Sequence, residues 1–272
     1  MRRVLLTIAY DGTDFHGFAY QEGVRTVEGA VAEAVFSVTG ERVIITGASR
    51  TDAGVHAYGN LATFDTESTI PPEKFPYALN ASLPEDVRIV NAEDVPADFH
   101  PRATGWRKTY EYRILNTPWP DPTLRGYTYH YRTALDTDQM NEAAGYLTGE
   151  HDFTSFCSVH SLSPTRVRTV YEARVDVRKA PAQADADAGA LVVIRVTGSG
   201  FLYHMVRIIA GTLLDVGRGR IKAREIPDIL EGRDRARAGM TLPPQGLFLI
   251  QHERKQDFRQ EASGCEHKDA QA

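Results

Sequence analysis

Cysteine is nearly missing from this chain: only Cys157 and Cys265 occur among its 272 residues. Their spacing fits neither a zinc site nor a disulfide framework, so we expect free thiols and no bound metal. Long apolar runs are missing too, since none reaches the roughly eighteen residues that a membrane span needs. The first segment also turns polar too soon for a signal peptide, and the expected compartment is the cytoplasm.

A net positive charge is missing as well. The net charge is −5, and six of the 31 basic residues are lysine. Surfaces that bind nucleic acid are usually basic, so this total argues against such a partner. Arginine nevertheless carries most of the positive charge, and its planar guanidinium binds phosphate through two hydrogen bonds. The placement of the arginines therefore matters more than their sum.

Apolar patterns predict strands and helices in two series. The first series has strands at "RVLLTIAY", "RVIITGAS", "GNLATFDT" and "DVRIVNAEDVP", a helix capped by Thr26 and ended by Gly40, and a short helix at "PPEKFPYALNASLP". The second series has a strand at "KTYEYRILN", a helix at "DTDQMNEAAGYLTG", an antiparallel pair at "RTVYEARVDVRKA" and "ALVVIRVTGSG", a helix at "FLYHMVRIIAGTLLDVG" and a closing strand at "GLFLIQH".

This order predicts an α+β fold of two halves, each a mostly antiparallel sheet with helices on one face. The second series begins after "DFHPRATGWR", so we expect an N-terminal domain over residues 1–103 and a C-terminal domain over residues 104–253. Residues 254–272 show no periodicity, and we expect them to form a disordered tail.

The segment "GASRTDAGVHAYG" is the first candidate for chemistry. Aspartate often shapes turns by bonding nearby amides, and that is the ordinary interpretation of Asp52. Arg50 lies two residues away, however, so in an extended segment the two side chains point the same way and can pair. A carboxylate held ionised in this way is a candidate nucleophile or cation stabiliser. Gly47, Gly54 and Gly59 would let a bulky ligand approach the backbone.

Arg207 breaks a local rule. It falls early in an apolar helix, where the helix dipole disfavours a cation unless an anion lies nearby. We therefore expect a carboxylate or phosphate beside it. His204 precedes it by three residues and would share its helix face.

Several other residues fit either a structural or an RNA-binding role. Tyr110 and Tyr112 alternate on one strand face, where they could fill the core or where one could stack on a base and handle a proton. His56 could shuttle a proton, although loop histidines more often pack or form hydrogen bonds. The basic residues that are either solvated or in contact with phosphates are Arg102, Lys108, Arg166, Arg168 and Arg174.

The stretch "SRTDAGVHA" resembles the signature loop of the TruA-type tRNA pseudouridine synthases. Six further blocks resemble segments of the same family, in family order and up to about residue 252: "YDGTDFHGF", "DFHPR", "KTYEYRILN", "GEHDFTSF", "GFLYHMVRIIAG" and "QGLFL". Chance does not easily produce seven ordered blocks. Two departures stand out, because Ser49 replaces a glycine and "FAYQ" at 18–21 replaces a stretch rich in tryptophan and glutamine.

The resemblance implies roles for particular residues. Asp52 would be the catalytic aspartate with Arg50 as its partner. Tyr110 would stack on the target uracil, and Arg207 would reach the same site from the second domain. The implied substrate-binding residues are Tyr110 together with Arg102, Lys108, His204, Arg166, Arg168 and His56.

The resemblance also implies an activity and an architecture. The activity is isomerisation of uridine to pseudouridine at positions 38, 39 or 40 of the tRNA anticodon arm, which is redox neutral and needs no cofactor. The architecture is two similar domains with the active-site cleft between them, in a homodimer that holds tRNA. Membranes have no part in it.

Two other function classes remain open from the residues alone. One is a non-catalytic RNA-binding protein that uses the same cleft; it would keep its tRNA affinity without Asp52. The other is a carboxylate-dependent glycosidase, which would need a second carboxylate that no residue near Asp52 in the sequence supplies.

Overall fold

The strands and helices largely follow the apolar patterns. The computed structural model describes residues 1–102, 105–180 and 189–253. Its strands are β1 (Arg2–Tyr10), β2 (Thr46–Gly47), β3 (His56–Thr66), β4 (Val87–Val95), β5 (Arg107–Asn116), β6 (Tyr129–Tyr131), β7 (Gly149–Asp152), β8 (Val167–Lys179), β9 (Ala190–Gly198) and β10 (Leu247–Glu253). Its α-helices are α1 (Val27–Thr39), α2 (Phe75–Asn80), α3 (Thr137–Gly145), α4 (Met205–Gly217) and α5 (Ile226–Gly232).

Helix α1 begins and ends where its capping residues predict. The Thr26 hydroxyl accepts a hydrogen bond from the Gly29 amide at 3.2 Å, which satisfies one of the free amides of the first turn. At the other end Gly40 has φ +76°, and its amide donates to the Phe36 carbonyl at 2.8 Å. This left-handed ending favours glycine, so both predicted caps are confirmed.

Two predicted elements are shorter than expected. The strand predicted at "RVIITGAS" is reduced to Thr46–Gly47, because Ile44 is 84% exposed and the backbone of Ser49 bonds to the Asn60 side chain instead of a neighbouring strand. The helix predicted from Phe201 begins only at Met205, because His204 has φ +62° and cannot continue a right-handed helix.

One sheet runs through the described residues, in the order β4-β1-β3-β10-β5-β9-β8-β7, with β2 beside β3 and β6 beside β5. Its neighbours are antiparallel, as predicted, except for β10 beside β3 and β6 beside β5. The predicted β8–β9 pair is confirmed. Strand β10 therefore joins β3 of the first series to β5 of the second.

The main core lies between one face of the sheet and the helices. Alternate residues of the strands point into it, and all five α-helices contribute to the same cluster. Fully buried members include Leu6, Tyr112, Ile194, Met140 and Ile208. The opposite face carries a much smaller apolar cluster around Leu61 and Trp106, together with charged residues. Helices on one face of the sheet are therefore confirmed.

Two further expectations concern undescribed residues. The predicted disordered tail at 254–272 lies outside the described part of the chain, and so do the residues at the predicted domain boundary, 103–104. The division into domains over 1–103 and 104–253 stays a prediction.

Candidate active site

The loop that carries Asp52 connects β2 to β3. Asp52 and Val55 close a tight turn through a 3.2 Å backbone hydrogen bond. Within this turn Gly54 has φ +75°, a left-handed conformation that residues with a side chain rarely adopt. The sequence predicts that the glycines of this loop make room for a ligand. The structure gives another reason for glycine at these positions, which is lack of space. A Cβ atom would clash with the Phe18 ring at Gly47, with Pro244 at Gly54 and with the Ile250 carbonyl at Gly59.

Side chains from neighbouring strands hold the backbone of this loop. The Asn60 amide group accepts from Ser49 N at 3.3 Å and donates to Ser49 O at 2.9 Å. The hydroxyls of Tyr10 and Thr51 lie 2.7 Å apart. Asn60 also donates to Tyr10 at 3.1 Å, so these buried polar groups satisfy one another. Such a network fixes the position of the residues just before Asp52.

Arg102 and Lys108, which are predicted to bind RNA, hold the backbone of this loop, and their contact with RNA stays a prediction. The Arg102 guanidinium donates to Gly47 O at 2.8 Å, and the Lys108 ammonium donates to Ala48 O at 3.0 Å. Burial, and secondarily the nearby Arg102, lowers the pKa of Lys108 to about 8. Lys108 is thus a partly buried cation beneath the loop.

Asp52 meets α4 across the site. Its Oδ2 lies 3.1 Å from Arg207 Nη1 and 3.5 Å from His204 Nε2. Arg207 is also anchored, because its Nε donates to Leu242 O at 2.7 Å. The anion expected beside Arg207 is therefore the Asp52 carboxylate. The partner predicted for Asp52 was Arg50. Among the described residues, the Asp52 carboxylate forms its ion pair with Arg207 and lies beside the His204 imidazole instead, and a catalytic role for Arg50 stays a prediction.

His204 caps α4 in a left-handed backbone conformation, φ +62°. Residues held in such sparsely populated regions concentrate at functional sites. Burial lowers the pKa of His204, and Arg207 adds to that effect while Asp52 opposes it. The Tyr203 ring covers the imidazole at a centroid distance of 3.8 Å.

A cavity of about 260 Å³ opens beside these groups. Arg50, Asp52, Tyr110, Phe201, His204 and Arg207 all contribute to its wall. Tyr110 is 8% exposed, and its ring meets Phe201 edge to face at 5.1 Å. Burial raises the pKa of Tyr110 to about 12, so its hydroxyl keeps its proton at neutral pH. The four residues predicted to be catalytic thus line one cavity.

The remaining predicted binding residues lie elsewhere. His56 is buried: its Nε2 bonds Gly126 O at 2.9 Å, and its ring stacks on Phe248 at 4.6 Å. Arg166 donates to the Cys157 sulfur at 2.9 Å, and Arg168 donates to the Ser163 hydroxyl at 2.9 Å. For His56 this is the packing alternative that the sequence left open. Arg166 and Arg168 were expected to be either solvated or bound to phosphate, and they form hydrogen bonds within the protein. Contact of any of the three with RNA stays a prediction.

Sequence reasoning missed three residues of the site. Asn60, His252 and Phe201 hold or line it, yet none belongs to a spacing pattern that singles it out. In the sequence, Ser49 stands out only as a departure from the family pattern. Among the described residues, no group of three or more His, Cys, Asp or Glu side chains could hold a metal ion. None of the described helices is long and apolar enough to cross a membrane.

Lys108 provides a test of the packing beneath the loop. Its lowered pKa means that between about pH 8 and 10 the unfolded chain binds more protons than the folded one, so stability should rise with pH. Between these two pH values, we expect the free energy of unfolding of wild type, measured in urea, to rise by about 2 kcal/mol more than that of Lys108→Met. Lys179→Met, at an exposed site on β8, should track wild type. If the free energy of unfolding depended on pH in the same way for Lys108→Met and wild type, Lys108 would not be a buried cation.

Comparisons with known proteins agree on one family. The sequence model described as "tRNA pseudouridine synthase" matches residues 6–102 and 143–253. A protein of Thermoanaerobacter sp. (strain X514) named "tRNA pseudouridine synthase A" is 45% identical over 250 residues, covering 92% of this chain and 98% of the relative. Proteins of the same name from Caldicellulosiruptor bescii and Anoxybacillus flavithermus are each 46% identical, covering 92% of this chain and 98% and 97% of the relatives.

Proposed function

Because the chain belongs to the tRNA pseudouridine synthase family, we propose that its cavity at Asp52 binds a uridine flipped out of the tRNA anticodon arm and isomerises it at position 38, 39 or 40. The family membership makes the chain an isomerase that converts uridine in tRNA to pseudouridine. A binding protein without chemistry and a glycosidase acting on small substrates are thereby set aside. The positions and the roles of the residues are the proposal.

One observation carries the assignment of the site. Asp52 in the β2–β3 loop and Arg207 on α4 are 155 residues apart in sequence, yet they pair at the wall of a cavity that Tyr110 also lines. A pair of ionisable groups in the wall of a cavity is typical of active sites. The target base must leave its stack to reach them, which costs a few kcal/mol. Stacking on Tyr110, itself supported by Phe201, would offset part of that cost.

The reaction breaks the bond between N1 and C1′, turns the base and joins C5 to C1′. Arg207 and His204 both contact Oδ2 of Asp52, which leaves Oδ1 to face the sugar. Asp52 then either adds to C1′ as a nucleophile or removes a ribose proton to give a glycal, and both routes need an ionised carboxylate. Arg207 places a positive charge 3.1 Å from Oδ2 of this carboxylate and fixes its orientation. After the new bond forms, C5 loses its proton, for which the Tyr110 hydroxyl is the proposed acceptor.

The test of the positions uses purified protein and an unmodified tRNA transcript with uridine at all three sites. Carbodiimide mapping should find pseudouridine at positions 38 to 40 and nowhere else. Transcripts with cytidine at one of the three positions should lose that signal only. Pseudouridine confined to another arm of the tRNA would contradict the proposal while leaving the isomerase activity intact.

The family resemblance supports three further proposals. The chain acts as a homodimer in the cytoplasm, it needs no cofactor because the isomerisation is redox neutral, and its two halves, 1–103 and 104–253, form similar domains around the site. The position of the pair formed by Asp52 and Arg207, one residue from each half, is consistent with a site between them.

A further inference from the structure

Three consecutive residues just before β10 connect the two partners of the ion pair in the cavity. They are Leu242, Pro243 and Pro244, which we call the bridging segment. Leu242 is fully buried, and it bonds Arg207 twice. The Arg207 Nε donates to Leu242 O at 2.7 Å, and Leu242 N donates to Arg207 O at 3.3 Å. One end of the bridging segment is thus fixed to both the side chain and the backbone of Arg207.

The other end of the bridging segment lies against the turn that carries Asp52. A Cβ atom on Gly54 would come within 2.9 Å of Pro244 Cγ, so the proline ring packs directly on the backbone of this turn. Pro243 has φ −57° and ψ 153°, because its own ring restricts φ and the proline that follows it favours an extended ψ. The two prolines therefore make the bridging segment a stiff connection between Arg207 and the Asp52 turn.

Tyr112 on β5 holds the middle of the bridging segment. Its hydroxyl donates to Pro243 O at 2.7 Å, a contact between residues 131 positions apart. The ring is fully buried and lies on the backbone of Gly246, where a Cβ atom would come within 2.8 Å of Tyr112 Cζ. Burial raises the pKa of Tyr112, so the hydroxyl keeps the proton that it donates. Tyr112 is not among the described residues that line the cavity.

We propose that Tyr112 is a positioning residue for the reaction: by holding the Pro243 carbonyl, it fixes the bridging segment and thereby the placement of Arg207 beside Asp52. The inference rests on the proposed function, since Arg207 orients the carboxylate that begins that reaction. It also separates the two tyrosines of β5. The Tyr110 hydroxyl faces the substrate, whereas the Tyr112 hydroxyl acts through the protein.

The hydroxyl matters because its loss would leave a carbonyl without a donor. A phenylalanine at position 112 keeps the ring and its packing but offers no hydrogen bond to Pro243 O, and an unsatisfied, partly buried carbonyl costs free energy. The bridging segment would shift to find another donor, and Leu242 O would move with it. Arg207 would then lose its anchor or follow it away from Asp52. A misplacement of about 1 Å in an active site can cost about 10²-fold in rate.

Single-turnover kinetics on the unmodified transcript test the proposal. Tyr112→Phe should lower the rate of the chemical step by about 10-fold, a smaller effect than loss of Arg207 itself, and leave KM for tRNA unchanged. In an Arg207→Met background the same change should add nothing, because the group that Tyr112 positions is already gone. Replacement of Tyr112 by p-aminophenylalanine, which keeps an N–H donor at the same place, should recover most of the loss.

Tyr127→Phe is the matched control for this experiment. It also removes a tyrosine hydroxyl that forms a hydrogen bond, at 2.6 Å to Asp11, but Tyr127 does not line the cavity at Asp52. The Tyr127→Phe variant should keep the wild-type rate of the chemical step. Thermal unfolding gives the temperature below which every variant is folded, and all rates are compared there.

Three kinetic results would overturn the proposal. The first is a wild-type rate in Tyr112→Phe. The second is an equally large loss from Tyr112→Phe in the Arg207→Met background, which would show that Tyr112 does not act through Arg207. The third is a p-aminophenylalanine variant as slow as the phenylalanine variant, which would show that the donor is not what matters.

A readout without tRNA separates this inference from the proposed function. In protein labelled with ¹⁵N at the arginine Nε, the signal of Arg207 is assigned as the one that Arg207→Met removes. Tyr112→Phe should shift that signal and leave unchanged the signal of Arg3, whose Nε donates to Asp65 at 2.7 Å. An unmoved Arg207 signal contradicts the inference. Absence of pseudouridine from wild-type reactions contradicts the proposed function instead, and the Arg207 signal still decides whether Tyr112 positions Arg207.

Discussion

Replacing Asp52 by alanine should lower pseudouridine formation by about 10⁴-fold or more while tRNA binding persists. Both routes proposed for the reaction begin at this carboxylate, and no other carboxylate is among the residues that line the cavity in the described part of the chain. Binding depends on contacts spread over the RNA backbone, so it does not need this group. Tritium release from C5-labelled uridine in tRNA measures the reaction, and filter binding at fixed salt measures the affinity.

Asp138→Ala is the matched control for this experiment. Asp138 is an exposed aspartate in the first turn of α3 and does not line the cavity. The Asp138→Ala variant should form pseudouridine at the wild-type rate. Equal rates for Asp52→Ala and Asp138→Ala would remove Asp52 from the mechanism and return it to the role of a turn former.

Replacing Arg207 by methionine should lower the rate of the chemical step by about 10²- to 10³-fold, the usual effect of removing one preorganised charged donor from an active site. Arg207 holds Oδ2 of Asp52 at 3.1 Å and is itself fixed by Leu242 O. Without the guanidinium, the partly buried carboxylate loses its cation and its orientation. Combined with Asp52→Ala, the change should add little, because the two residues act as a unit.

Arg207→Lys separates charge from geometry at this position. An ammonium keeps the positive charge, yet it cannot bind Asp52 and Leu242 O with the two separate edges of a guanidinium. The rate of the chemical step in Arg207→Lys should therefore lie between those of wild type and Arg207→Met. A lysine variant as slow as methionine would show that geometry alone matters, and a methionine variant as fast as wild type would contradict the role of Arg207.

Much of the fold could be predicted because its signals are local. Thr26 and Gly40 mark the ends of α1 within one stretch of sequence, and the alternation around Tyr110 marks β5. The same pattern predicts that α4 begins at Phe201, which is too early. The helix begins only after His204, because that residue has a left-handed backbone conformation. Which conformation a non-glycine residue adopts at such a point depends on packing, and no local pattern encodes it.

The site was predictable residue by residue, but its pairings were not. Asp52 and Tyr110 stand out through the family resemblance, since the residues alone favour a turn former and a core residue, and Arg207 stands out by its unfavourable place in a helix. Arg50 was the expected partner of Asp52 because it is close in sequence, whereas the actual partner is 155 residues away. The contact between Tyr112 and Pro243 spans 131 residues. Contacts of this range depend on which strands lie side by side, and spacing along the chain does not contain that information.

The position of β10 has a consequence for how the protein is made. Strands β3 and β5 are synthesised early, yet Phe248 and Leu249 of β10 lie between them in the finished sheet. A growing chain can form hairpins in each half as it leaves the ribosome, but the halves join only after nearly the whole chain has emerged. Pairings over such long sequence separations close slowly. Catalytic competence should therefore appear as a late event of biosynthesis, and nascent chains that stop before residue 247 should bring Asp52 and Arg207 together poorly or not at all.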